Sequence, residues 1–182
     1  MLAILGIVSL IGMFVVLYSH FSSVNLALQV MLGIPLAFIG AVVGVWMTGG
    51  VFSIATMVGF ITLTGISARN GILMIAHYLH LMKEEGETFS LQMLYRGSQE
   101  RLVPVLMTAL TALMALVPLI MAADEPGKEI LHPVAVVIFY GLLTSTILNL
   151  IVTPLIFWMF GAGAVRRLIP DAFKTANNLT KT

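Results

Sequence analysis

Arg69 is the only formal charge before Lys83. It stands in a long apolar run, about 14 residues, or roughly 21 Å of helix, short of that lysine. A charge at the centre of a bilayer costs about 3 kcal/mol on insertion scales, and its side chain cannot snorkel out from that depth. Arg69 is therefore expected to face the interior of a helix bundle and to find an acceptor there. Its helix face suits close approach, because Thr62, Gly65 and Ala76 lie at i−7, i−4 and i+7. The chemistry open to it is proton coupling or an ion path; the plainer alternative is a structural ion pair. None of the apolar runs contains Asp or Glu. A carboxylate partner must then come from outside these 182 residues, or water and carbonyls must neutralise the charge; the first is preferred.

The other candidates are weaker. Thr108, Thr111, Ala112 and Ala115 form a small stripe that could pack on the Arg69 helix, with Thr108 bonding into the arginine site. Against that, intramembrane threonine hydroxyls commonly bond their own i−4 carbonyl. Asn70 neighbours Arg69 but points about 100° away. Thr144, Ser145, Thr146 and Asn149 make a further polar patch. His77 and His80, at i and i+3 beside Met74, could hold a metal, yet no third strong ligand accompanies them, so no metal and no cofactor is expected. Met107, Met114 and Met121 recur at heptad spacing, which reads first as packing. Ser67 as a protease nucleophile fails, since His77 is about 15 Å further along the same helix.

The elements that carry these residues follow from composition. The chain is 59% hydrophobic and 9% charged, with a mean hydropathy of +1.06. Soluble domains are about a quarter charged. Residues 1–68, 102–123 and 133–165 hold no formal charge at all. Such runs suit lipid, which leaves backbone groups no partner outside a helix or a closed barrel. The runs are too long and continuous for barrel strands. The expected fold is all-α, a polytopic membrane bundle of five transmembrane helices at about 2–18, 26–47, 52–82, 102–123 and 133–160. A disordered chain, a nucleic-acid-binding module and a disulfide scaffold are excluded; there is no cysteine.

Loop 83–101 is expected to carry a short amphipathic helix on the inner membrane surface, through Phe89, Leu91, Met93, Leu94 and Tyr95, with an ordinary polar loop as the close alternative. Residues 162–182 read as a polar tail. Lys83, Arg96, Arg101, Arg166, Arg167, Lys174 and Lys181 fall on one side and Lys128 alone on the other. That asymmetry puts the C-terminus in the cytoplasm. The first run lacks the basic lead of a signal peptide, and Met1 is an odd natural start, so the chain looks truncated there.

The sequence resembles the C-terminal membrane half of the resistance–nodulation–division (RND) efflux permeases. The carrying stretches are NLALQVMLGIPLAFIGAVVGVWMTGG at 25–50, GFITLTGISARNGILMIAHYLHLM at 59–82, RGSQERLVPVLMTALTALMALVPLIMA at 96–122 and PGKEILHPVAVVIFYGLLTSTILNLIVTPLIFWMFG at 126–161. The last looks most like the heavy-metal branch, the cobalt–zinc–cadmium and copper–silver pumps. The resemblance implies a proton-driven antiporter rather than an enzyme, in the inner membrane of a Gram-negative bacterium. It implies a homotrimer that works with a periplasmic adaptor and an outer-membrane channel. Arg69 matches the position of the relay lysine of drug exporters, Thr108 the relay threonine, and Arg101 a basic residue at the cytoplasmic start of that helix; Asn70 and Thr111 are supporting candidates. The acidic partners belong to the N-terminal half of such a permease. Some copper–silver relatives have Glu at the Arg69 position and Lys at that of Val105, and a Met just after that of Glu129, where this chain has Ile130. These departures weigh against a copper–silver pump. The competing reading is a non-transporting membrane scaffold, or an inactive gene remnant.

Overall fold

A computed structural model describes residues 2–50, 52–121 and 130–170. Among them are five helices and no strand: α1 Leu2–Phe21, α2 Val24–Met47, α3 Ile54–Lys83, α4 Leu91–Met121 and α5 Leu131–Leu168. Helices α2 to α5 are each long and apolar enough to cross a membrane, and α1 adds a shorter apolar stretch, Gly6–Phe21. The protein is thus an all-α membrane bundle, as its uncharged runs require.

Local chemistry sets the helix limits. Gly49 and Gly50 take φ of 102° and 71° after α2, the left-handed region that glycine enters without a side-chain clash. Ser53 and Thr56 then form a reciprocal capping box at the start of α3. Gly86, at φ 68°, turns the chain after α3. Ser90 starts α4, its hydroxyl oxygen accepting from the Met93 N–H at 3.2 Å.

Two differences from the sequence expectation follow. Residues 91–101 are not a separate surface helix; they are the opening turns of α4. No breaker stands between them and the apolar run, and Pro104 removes one backbone donor without ending the helix. The 31 residues of α4 span roughly 46 Å against a hydrocarbon core of about 30 Å, so the charged turns overhang it. At the other end, α5 runs on through Arg166 and Arg167 to Leu168, well into the stretch read as tail. Lys128, Glu129, Lys174 and Lys181 lie outside the described residues.

The core lies where α2, α3 and α5 meet. Leu26, Ala27 and Val30 of α2, Ile75, Tyr78 and Leu81 of α3, and Phe157 and Val165 of α5 are buried in one cluster. Glycines bring the backbones close: Gly40 and Gly44 face Thr144 and Tyr140 of α5, and Gly141 faces Leu63 of α3. Helix α1 leans on this core through Met13, Phe14, Leu17 and Phe21. Among the four helices long enough to span a membrane, α4 is the least covered; of its apolar run only Ala109 and Leu113 are buried, against Leu142, Ile66 and Phe139.

Candidate functional site

Arg69 sits at the middle of α3 and is exposed. No hydrogen bond or ion pair holds it among the described residues. This corrects the expectation that it faces the interior of these five helices. The reason is the face it shares. Gly59, Leu63, Ser67, Asn70, Gly71 and Met74 are the buried side of α3, and Arg69 projects away from them with Thr62 and Gly65, which are also exposed. An added side chain at Gly65 would meet nothing within 4 Å. The small stripe is bare at Thr62 and Gly65, while Ala76 at its far end packs on the core cluster.

Thr108 and Thr111 are likewise exposed. The Thr108 hydroxyl donates to the carbonyls of Pro104 at 3.1 Å and Val105 at 3.0 Å, and that of Thr111 to Met107 at 2.8 Å. The bond from Thr108 into the Arg69 site is not formed. The expected meeting of the two small stripes is not formed either. Instead Ile66 of α3 packs with Ala109, Ala112 and Leu113 of α4. Arg69 is one turn from Ile66 and Thr108 one turn from Ala112, so both lie next to this contact, and both are exposed. Met107, Met114 and Met121 are 65%, 74% and 82% exposed, so the packing expected of this heptad is not made within the described residues. Asn70 is buried, pointing away from Arg69 as helical geometry requires.

Next to the apolar run, on the overhanging turns of α4, lies a charged network. Arg96 reaches Glu85 and Glu87, each at 2.7 Å, and Glu100 at 2.9 Å. Glu100 also meets His77 Nε2 at 2.9 Å. Partial desolvation of Glu100 opposes its ionisation, but Arg96 and His77 outweigh that and hold its carboxyl below the usual range. The same carboxylates raise the Arg96 guanidinium further above its ordinary value. His77 is thus engaged by a carboxylate, His80 is exposed, and no group of three His, Cys, Asp or Glu suited to a metal occurs among the described residues. Arg101 is half-buried, its Nε lacking a hydrogen-bond partner there.

Arg96→Gln leaves three carboxylates without their shared cation. A small drop in unfolding temperature is expected at low salt, shrinking as salt screens exposed charges. A drop independent of salt in thermal melts would show that the network stabilises by packing instead.

Sequence reasoning missed one contact set. Ser67 donates to the Gly33 carbonyl at 2.8 Å inside the bundle, and Asn149 stands against Gly33 from α5. Asn149 was visible as a polar residue, but nothing in the sequence paired it with α2.

A family model described as the AcrB/AcrD/AcrF family matches residues 1–161. The chain is 37% identical over 176 residues to the cobalt-zinc-cadmium resistance protein CzcA of Cupriavidus metallidurans, covering 96% of this chain and 16% of that one. It is 38% identical over 153 residues to the protein HelA of Legionella pneumophila, covering 84% of this chain and 14% of HelA. A crystal structure of a heavy metal efflux pump superposes with a TM-score of 0.78 at 31% identity, covering 88% of this chain and 16% of the pump. The chain therefore spans about a sixth of the length of these relatives.

Proposed function

Since this chain belongs to the AcrB/AcrD/AcrF family, on the heavy-metal branch of the RND permeases, we propose that it supplies second-half helices to a proton-driven metal exporter. One observation carries this reading: a guanidinium at mid-helix depth that faces out of its own bundle and has no acceptor among the described residues. At that depth the charge needs a negative counterpart. The bare stripe of Thr62 and Gly65 beside it gives a further helix room to bring one.

In this mechanism an acidic side chain of a first-half helix docks on the face of Arg69, beside the α3–α4 contact next to Thr108. While that acid is ionised, the pair holds the halves together. A proton arriving on the acid removes the attraction, the halves repack, and release of the proton restores the pair. Thr108, Thr111 and Asn70 support the site, and Arg101 lies toward the cytoplasmic start of the α4 run. The exporter works as a homotrimer in the inner membrane of a Gram-negative bacterium, with the C-terminus of this chain in the cytoplasm and with a periplasmic adaptor and an outer-membrane channel as partners. Its cargo is a divalent cation of the kind named for its relative, cobalt, zinc or cadmium.

Proteoliposomes holding the assembled permease under a proton gradient test this directly. One of those three cations, added on the substrate side, is expected to speed dissipation of the gradient. Proton flux indifferent to all three would reject metal–proton coupling.

A further inference from the structure

The polar contact between α2, α3 and α5 leads beyond the arginine face. Helices α2 and α5 run antiparallel in a readable register: Gly33 meets Asn149, Gly40 meets Thr144 and Gly44 meets Tyr140. Continued by one turn, that register sets Gln29 level with Thr153. Gln29 is only 8% exposed. Neither its Oε1 nor its Nε2 has a hydrogen-bond partner among the described residues, and the same holds for Asn149 Nδ2. Asn149 is also 8% exposed. The adjoining α2 side chains Leu26 and Val30 are fully buried and apolar, so they offer these amides nothing.

Proline inside α5 takes the usual helical donor from one backbone carbonyl near this level. Pro154 lies inside α5. It has no N–H to give the carbonyl of Leu150, four residues earlier. Within a membrane, backbone groups freed by proline are satisfied by neighbouring side chains or by ordered water. Gln29 stands a turn away from Asn149 along the shared register, and the two amides do not bond each other. A buried water accepts and donates, and typically binds about three otherwise unsatisfied polar groups.

We propose that ordered water binds between α2 and α5 at the proline break, held by the Gln29 carboxamide, Asn149 Nδ2 and the Leu150 carbonyl. Ser67 closes the site toward α3 by occupying the Gly33 carbonyl. The water completes hydrogen bonds that the protein leaves open, and it ties the broken turn of α5 to α2. This site is separate from the Arg69 face and does not depend on the proton reading.

X-ray radiolysis of membranes containing the full chain, read by mass spectrometry, tests the proposal. Hydroxyl radicals born from bound water oxidise the side chains that touch it. Leu150 and Pro154 are expected to oxidise severalfold faster than Val152 and Ile156, which are half-buried like them on the same helix. The double variant Gln29→Met, Asn149→Leu is expected to erase that excess. Equal oxidation of the four residues in the unmodified chain overturns the proposal, as does an excess that survives in the double variant. Should the double variant fail to assemble, the contrast within the unmodified chain decides alone.

Discussion

Arg69→Gln in the assembled permease is expected to abolish proton-driven metal export while leaving protein levels unchanged. The fold should tolerate the change, because Arg69 is exposed and makes no hydrogen bond or ion pair among the described residues. Removing the charge even relieves an insertion cost of about 3 kcal/mol. What is lost is the attraction that an acid on the facing half would feel. Without it, protonating that acid no longer changes how the halves fit. A loss of about tenfold or more in export is expected, the factor that about 1.4 kcal/mol of lost coupling already produces. Arg69→Lys keeps the charge and should keep part of the activity. Gly65→Leu supplies an independent check. Inside these five helices it meets nothing within 4 Å, so the bundle should form normally. A leucine there would keep a partner helix from closing on the arginine, and export should fall. Full export by Arg69→Gln at normal levels would remove the relay role; full export by Gly65→Leu would show that no helix docks on that face.

The second large effect is structural. Gly40→Val is expected to cost about 3 kcal/mol or more, and to lower the yield of folded protein sharply. A Cβ at Gly40 would collide with the Thr144 side chain and stand 2.6 Å from the Tyr140 carbonyl oxygen. The side chain could turn aside, but the backbone oxygen cannot without moving α5. Helix association in lipid depends on such close packing, since apolar burial from water contributes little there. Gly12→Val is the control, because nothing lies within 4 Å of a Cβ at that glycine. Thermal unfolding of both variants in lipid separates the cases; equal melting would show that α2 and α5 shift apart at little cost.

Much of this could be seen before any coordinates. The long apolar runs locate the five described helices, because lipid forces the backbone to satisfy itself. The place of Arg69 at the middle of an apolar helix follows from counting along α3. Its family could be read from the order and spacing of four stretches. Three things could not be read. The start of α4 hides in residues 91–101, where an amphipathic pattern fits a surface helix as well as the overhang of a long one. The heptad of Met107, Met114 and Met121 cannot tell inside from outside, since an apolar face looks the same toward protein and toward lipid. Gln29 gives no signal at all until α5 is laid beside it.

By itself, then, the sequence determined the helical class and the mid-helix place of Arg69, because these depend on the solvent and on position along a single chain. Which way Arg69 points, which glycines touch another backbone, and which buried amides lack partners are relations between helices. Only the packing of α2, α3 and α5 decided them, because in lipid the faces that associate are chosen by fit rather than by apolarity.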